Sequence, residues 1–441
     1  MRLATPIKVR TLQRKLYVKA KSEPRFRFYS LYDKICREDV LAHAFAVARA
    51  NGGAPGVDGA TFAQIEAGGL EGWLRGLRED LRSRGYRPDA VRRVYIPKPG
   101  GGERPLGIPT IRDRVAQTAA MIVLSPIFEA DFADAMYGYR PRRSAQDAVA
   151  AVHTALREGY TDVVDADLSR YFDTIPHAEL LRAVAQRVSD GKVLHLIRLW
   201  LRAPVEDRDE AGRRRKTGGR SSTCGTPQGG VVSPLLANIY FHRFLRAWQE
   251  RRIGEKLQAK VVNYADDFVI LCKGTAPDAL ALTRRWMAAL KLTLSEEKTT
   301  VRDARREPFD FLGYTFGPQW HRPSGRRFLA VMPSRKSVAR LRERVRETFR
   351  RHIVAPWEEV VDAVNRLLRG WANYFSYGNV TRAYWWVDAF MLEKARRFLG
   401  RRHKIYSRGT RLYRPERIFG HKGLVQLADV ARRRRHSHAL A

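Results

Sequence analysis

The stretch Val261-Val262-Asn263-Tyr264-Ala265-Asp266-Asp267-Phe268-Val269-Ile270-Leu271 constrains this chain more than any other. Two apolar, β-branched runs flank Tyr-Ala-Asp-Asp, a pattern that predicts a hairpin with the acids at its tip. Adjacent carboxylates repel each other, and a tight turn gives them little room to separate. A divalent cation resolves the conflict, because hard cations such as Mg²⁺ favour carboxylate oxygens together with substrate phosphates. Alone, the same residues also describe an ordinary solvated turn. The rest of the chain decides between the two readings.

Charge is the next constraint. With 82 Lys and Arg against 46 Asp and Glu, the 441 residues carry a formal charge of +36. The excess runs through the whole chain and repels itself, which a polyanion partner explains better than a localisation tag does. At 44% hydrophobic the chain is globular and long enough for two or three domains. Cys36, Cys224 and Cys272 are scattered, with neither disulfide-scaffold nor zinc spacing. No apolar signal core and no run of membrane-spanning length is present, so a soluble cytoplasmic protein with no membrane partner is expected.

In chain order, residues 1–50 read as basic helices, with Leu12, Leu16, Leu31, Ile35 and Val40-Leu41 in partial helical period. Glycines at 52–59 break the chain, and an amphipathic helix is expected over 61–84. Val91–Lys98 alternates like a strand, Pro99–Gly102 turns it, and Glu103–Pro109 returns, which makes a glycine-rich hairpin bearing Lys98 and Arg104. A helix follows over 145–158. Val163–Leu168 then reads as a strand with Asp165 and Asp167 on one face, opposite Val164, Ala166 and Leu168. Asp173 is assigned as a helix cap before a helix opening near Pro176.

Gly212–Lys216 reads as a basic loop, and the glycines of 225–230 allow close backbone approach before a helix at 234–250. Another helix spans 276–292, a strand begins in Leu294–Thr299, and Phe309–Phe316 alternates as a further strand. Composition shifts near 320. Ser334 caps a helix carrying Val338, Leu341, Val345 and Phe349 on one face; Pro356 opens a second; a third spans roughly 382–399. The expected organisation is a basic extension with the start of one subdomain over 1–90, a core over 91–320, a helical bundle over 321–400, and a basic tail over 401–441. The tail has seven Arg or Lys and one acid within 401–417.

These parts combine chemically. Asp167, Asp266 and Asp267, on two strands, can hold two Mg²⁺ ions of the kind that clamp the attacking and leaving oxygens of a phosphoryl displacement. Lys98 and Arg104 can neutralise a triphosphate, and Lys298 can stabilise departing pyrophosphate. A ring at Phe172 can crowd the sugar 2′ position. A basic bundle can track a duplex backbone. Together they describe a template-directed nucleotide polymerase.

With those residues in view, the sequence resembles bacterial group II intron reverse transcriptases and maturases over nearly its whole length. The motifs appear in the family's order: Gly53–Gly59, Tyr95–Lys98, Arg104–Thr110, Tyr139–Ser144, Ala166–Leu168 with Phe172-Asp173, Gly225–Gly230, Tyr264–Asp267, Lys298-Thr299, Phe311–Tyr314 and Arg369–Phe375. The resemblance implies an α+β right-hand polymerase, fingers and palm, followed by a helical thumb or maturase bundle. It implies metal ligation by Asp167, Asp266 and Asp267, with Leu168 in the same site, and triphosphate contacts from Lys98 and Arg104. It further implies nucleotide contact by Gln228, a sugar gate at Phe172, and primer-end support from Leu312, Gly313 and Tyr314. Arg140 and Arg143 are expected near template or intron RNA.

Arg366, Arg369 and Tyr374, with Phe375 and Tyr377, are expected to meet folded RNA, joined by Arg401, Arg402 and Lys404 of the tail. Implied partners are the intron RNA, target DNA with its primer, and deoxynucleoside triphosphates. Many family members end in an endonuclease with paired Cys and His; nothing after residue 400 here is a cysteine. An RNA-binding splicing cofactor and a relative domesticated for another role are the competing readings. The intact Asp167, Asp266 and Asp267 favour the polymerase.

Overall fold

The computed structural model describes residues 3–97, 102–208, 213–219, 221–227, 229–321, 324–405 and 409–432. Its strands are β1 (Val91–Pro97), β2 (Glu103–Ile108), β3 (Asp162–Asp167), β4 (Pro204–Arg208), β5 (Arg214–Gly218), β6 (Ala259–Tyr264), β7 (Asp267–Cys272), β8 (Thr300–Asp303), β9 (Phe309–Phe311), β10 (Tyr314–His321) and β11 (Arg326–Pro333). The helices of the first half are α1 (Ile7–Ser22), α2 (Tyr32–Ile35), α3 (Glu38–Asn51), α4 (Phe62–Ala67), α5 (Leu70–Arg82), α6 (Ile111–Glu129), α7 (Ala145–Arg157), α8 (Tyr171–Thr174), α9 (His177–Ala185) and α10 (Gly191–Leu201). The second half adds α11 (Ser233–Glu250), α12 (Ile253–Lys256), α13 (Ala276–Ala289), α14 (Arg335–Arg351), α15 (Trp357–Tyr374) and α16 (Thr381–Arg402). Among the described residues no helix is long and apolar enough to cross a membrane.

The palm sheet has the order β6-β7-β3-β8 and is antiparallel throughout. Val163, Val262, Val269 and Leu271 share a core with Val149 and Val152 of α7. Val164, Ala166, Phe268 and Ile270 join the main core, where Phe268 lies 5.4 Å from Phe241 of α11. Both faces are therefore covered, which is why the strands read as continuous apolar runs. Burying a side chain such as Phe268 contributes about 2 kcal/mol.

The fingers sheet has the order β2-β1-β4-β5. β1 and β2 form the expected hairpin, paired from Arg92↔Ile108 to Pro97↔Glu103. Asp113 of α6 secures its base. This buried carboxylate accepts from Tyr86 Oη at 2.5 Å, from the Asp89 amide at 3.0 Å and from Thr110 Oγ1 at 3.0 Å. Trp200 Nε1 completes the network by donating to Tyr86 Oη at 2.9 Å.

Five local expectations are corrected. The stretch 61–84 is two helices, because Gly69 takes φ of 97° and breaks the helical path. Arg214–Lys216, expected as loop, is strand β5 paired with β4. Asp173 sits inside the short α8 rather than capping α9, whose N-cap is Pro176. Leu294 makes only an isolated bridge to Leu168, and the strand starts at Thr300. Phe309–Phe316 is a hairpin, since Leu312 (φ 50°) and Gly313 (φ 77°) turn the chain between β9 and β10.

The third sheet, β11-β10-β9, runs to Pro333, and the bundle helices begin at Arg335. Ser334 Oγ accepts from the Ser337 amide at 3.1 Å, the N-cap its position predicts. Val338, Leu341, Val345 and Phe349 pack with Val360, Val364, Val387 and Met391. Much of the segment expected as a basic tail is built into this bundle. Tyr413, Ile418, Leu424 and Leu427 enter its core, and Asp388 accepts from the Leu427 and Ala428 amides at 2.8 and 2.9 Å. Arg433–Arg435 lie outside the described residues.

Replacing Asp113 with Ala leaves three donors at the hairpin base without an acceptor. The expected loss is about 2–3 kcal/mol of stability, read by urea unfolding. A loss below about 0.5 kcal/mol would show that the network does not hold the hairpin.

Candidate active site

Strand pairing brings the carboxylates together. Tyr264 pairs with Asp267 across the β6–β7 hairpin, which leaves Ala265 and Asp266 as its two-residue turn. Ala265 takes φ of 60° to close it. On the other side of β7, Asp267 stands opposite Asp167, the last residue of β3. One turn acid, Asp266, and two strand-end acids, Asp267 and Asp167, thus share one edge of the palm, with Asp165 two residues behind Asp167 on the same face.

The neighbourhood of the turn is tight. Gly138 lies against it so closely that a Cβ there would come within 2.3 Å of the Ala265 amide nitrogen. Residues 135–137 pair with Asn263 through Asn263 N to Ala135 O and Tyr137 N to Asn263 O, both 2.8 Å. This places the ring of Tyr139 beside the site, edge-on to Phe172 at 6.5 Å. Crowding by protein and then Asp266 raise the Tyr139 hydroxyl, while Arg104 lowers it. Arg104 of the exposed hairpin therefore lies within electrostatic reach of the Tyr139 hydroxyl. Phe172 is half-buried between Tyr139 and Tyr171, and its carbonyl accepts from the Thr226 amide at 2.6 Å. The 225–230 loop approaches the hairpin as well: a Cβ on Gly229 would meet Gly107 O at 2.2 Å.

Asp267 keeps an open side toward the cleft although protein surrounds it on the others. Desolvation, and then Asp266, Asp167 and Asp165, push its carboxyl up to about 7; Lys298 opposes them. Lys298 reaches this place because Ser295 N donates to Asp167 O at 2.8 Å and the following turn carries the lysine back. Its ammonium lies 2.5 Å from Asp167 Oδ2.

Among the described residues no group of three His, Cys, Asp or Glu side chains is arranged as a ready metal cage. The donor set nevertheless fits a hard divalent cation, since carboxylates are crowded at one spot and a lysine supplies positive charge there. Leu168 has a buried side chain and can take part only through its backbone.

The remaining expected residues divide. Lys98 and Gln228 lie outside the described residues. Leu312 and Gly313 border a groove of about 460 Å³ with Arg366 and Tyr374, where Arg340 and Arg344, which the sequence reading passed over, also project. Tyr314, expected at the primer end, is fully buried and donates to Tyr374 O at 2.7 Å, so its ring is structural. Phe375 is likewise buried. Arg140 is corrected too: it is buried, paired with Glu129 at 2.7 Å, and donates to Ala133 O and Met136 O. Arg143 pairs with Asp134 at 2.8 Å on the surface. Arg369, Arg401, Arg402 and Lys404 are exposed on or just beyond the bundle.

An acid-bearing hairpin against a strand-end carboxylate, overhung by a basic hairpin and followed by a helical bundle, defines a palm-type nucleotide polymerase. Residues 96–316 match the family described as reverse transcriptase (RNA-dependent DNA polymerase), and residues 338–415 match the group II intron maturase-specific domain. The chain belongs to the reverse transcriptase family and is an RNA-directed DNA polymerase. It is 34% identical over 363 residues to Protein YkfC of Escherichia coli, covering 74% of this chain and 93% of that one. It is 30% identical over 349 residues to the group II intron-encoded protein LtrA of Lactococcus lactis, covering 65% of this chain and 56% of LtrA. A partial Cas6-RT-Cas1–Cas2 complex overlaps 59% of this chain and 42% of its own at 24% identity, with a TM-score of 0.35, too slight to bear on function.

The raised Asp267 carboxyl fixes a pH effect. In chelator the folded protein holds a proton that the unfolded chain releases near its ordinary carboxylate value, so this contribution to stability is lost as pH rises through about 7. Asp267→Asn should therefore lose less thermal stability than the parent between about pH 5.5 and 8.5. Equal losses would remove the assigned crowding.

Proposed function

We propose that this protein copies intron RNA into DNA at Asp167, Asp266 and Asp267, and that it binds the structured group II intron RNA to assist splicing and mobility. The observation that carries the polymerase half is the register of β3 on β7, which sets Asp167 opposite Asp267 beside the Asp266 turn. The three carboxylates would hold two Mg²⁺ ions. Bound there, the ions supply charge neutralisation to the attacking and leaving oxygens.

The chain's own residues do the rest. Arg104, with Lys98, meets the triphosphate from the fingers hairpin, and Lys298 leaves Asp167 to face the departing pyrophosphate. Gln228 and Phe172 bracket the incoming nucleotide, the ring of Phe172 excluding a 2′-hydroxyl. The Leu312–Gly313 turn supports the primer end, with Arg340, Arg344 and Arg366 along the backbone beyond it. Target DNA supplies the primer, and the reading places the protein in the bacterial cytoplasm with the nucleoid. The maturase half draws support from the matched domain over 338–415 and from the likeness to LtrA.

Asp266→Ala should lower primer extension on an RNA template with Mg²⁺ by more than about a thousandfold while RNA affinity persists. Near-parental extension would end the catalytic assignment. Phe172→Val should raise ribonucleotide incorporation relative to the matched deoxynucleotide in single-nucleotide assays. An unchanged ratio would put the gate elsewhere.

A further inference from the structure

The bundle carries a second basic groove. The first lies between α14 and α15 at the Leu312–Gly313 turn and takes Arg340 and Arg344 from α14. The second, about 450 Å³, lies between α14 and α16 and is bordered by Arg346, Arg350, Lys394, Arg397 and Arg401 over a floor of Phe349 and Phe398. At about 100° per residue, Arg342 and Arg346 stand roughly half a turn round α14 from Arg340 and Arg344. One helix thus presents cations to two separate grooves.

Charge in the second groove and at its edge, where Arg342 and Phe390 lie beside the lining residues, is concentrated and partly uncompensated. Arg342, Arg346 and Lys394 converge on the nearly buried ring of Phe390, at 4.5, 5.3 and 5.6 Å from its centroid. Glu343 pairs with Arg346 at 2.6 Å, and Glu393 pairs with Arg397. Among the described residues no carboxylate pairs with Arg342, Arg350 or Lys394. Cations gathered this closely repel one another, and a bound anion relieves the repulsion. Arg342, Arg346 and Arg350 recur every four residues, about 6 Å apart along the helix, so they form a row. Lys394, Arg397 and Arg401 form a facing row on α16. Ile353 and Val354, 60% and 86% exposed, add apolar surface where α14 ends. Two cation rows over aromatic rings suit a phosphate backbone with unpaired bases nearby, as folded RNA presents.

We infer that the α14–α16 groove is a second nucleic-acid site, which holds a backbone segment of structured RNA while the α14–α15 groove holds primer and template. The inference rests on the maturase reading and adds to it a division of labour between two faces of one helix. All of α16 and all but the first three residues of α14 lie within the matched maturase-specific domain, which favours RNA over DNA as the occupant.

The test uses the full chain with Arg342, Arg350 and Lys394 all changed to Gln, beside an Arg340→Gln, Arg344→Gln protein. The probes are an in vitro transcribed, folded group II intron RNA and oligo(dT) on poly(rA). The triple variant should bind the folded RNA at least tenfold more weakly, with the slope of log affinity against log salt shallower by about 2. Its KM and kcat for extension should stay within twofold of the parent. The Arg340, Arg344 variant should instead raise the extension KM and leave most of the folded-RNA affinity.

An unchanged salt slope in the triple variant overturns the inference, as does an equal loss of extension. Displacement of the folded RNA from the parent protein by equimolar single-stranded DNA overturns the choice of RNA. Failure of the parent protein itself to bind the folded RNA would instead strike the maturase reading, which keeps the two failures apart. Circular dichroism checks the fold, and single Arg350→Gln and Lys394→Gln proteins carry the same comparison if the triple variant does not fold.

Discussion

Like charge held at one point governs this structure. β-Pairing puts Asp167 and Asp267 face to face and leaves Asp266 on the turn beside them, an arrangement that no exposed hairpin would keep for its own stability. The surroundings are organised to tolerate it. Covered sheet faces fix the register, because slipping β3 by one residue would turn Asp165 and Asp167 into the main core in place of Val164 and Ala166. Gly138 lets a neighbouring strand segment brace the turn, and Lys298 supplies a positive charge. Rigidity of the palm and reactivity of its edge have the same origin.

The fingers and the bundle answer that palm with opposite charge. The hairpin bearing Arg104 is stiffened at its base by a buried network around Asp113 and at its flank by the close approach of Gly229 to Gly107. α14 distributes arginines round its circumference, so the bundle is basic on more than one side. The formal excess of +36 is thus spread over surfaces of different orientation.

What the sequence made legible was local. Alternation marked β1, β2, β3, β6 and β7, and the Ser334 cap with its four-residue apolar spacing marked α14, because these follow from period and capping chemistry within a few residues. What stayed hidden depended on how the chain folds back on itself, near or far. Arg140 looks like any surface arginine until residues 133–136 curl back to present carbonyls to it. Lys298 was legible as a lysine of the site, but its ion pair with Asp167, across a sequence separation of 131, is encoded by no motif spacing. The segment after 409 reads as a basic tail, yet five apolar residues spaced irregularly among its charges, Tyr413, Ile418, Leu424, Leu427 and Ala431, seat it on the bundle.

The turn between β9 and β10 is fastened to the helices by its own carbonyls. Gly313 O accepts from the Ser334 amide and from Ser337 Oγ, each at 2.9 Å, and Leu312 O accepts from Tyr374 Oη at 3.0 Å. Tyr314 Oη returns the bond to Tyr374 O. Turn and bundle therefore behave as one lever, and a tilt of the helices is transmitted to the turn without slack. On the proposed placement of the primer, a nucleic-acid end resting on Leu312–Gly313 would take its position from whatever the helices grip several nucleotides away. A duplex long enough to span both would be steered along its length, whereas a stub that reached only the turn would have nothing to hold it in line. Starting a strand and continuing one would then be mechanically different acts.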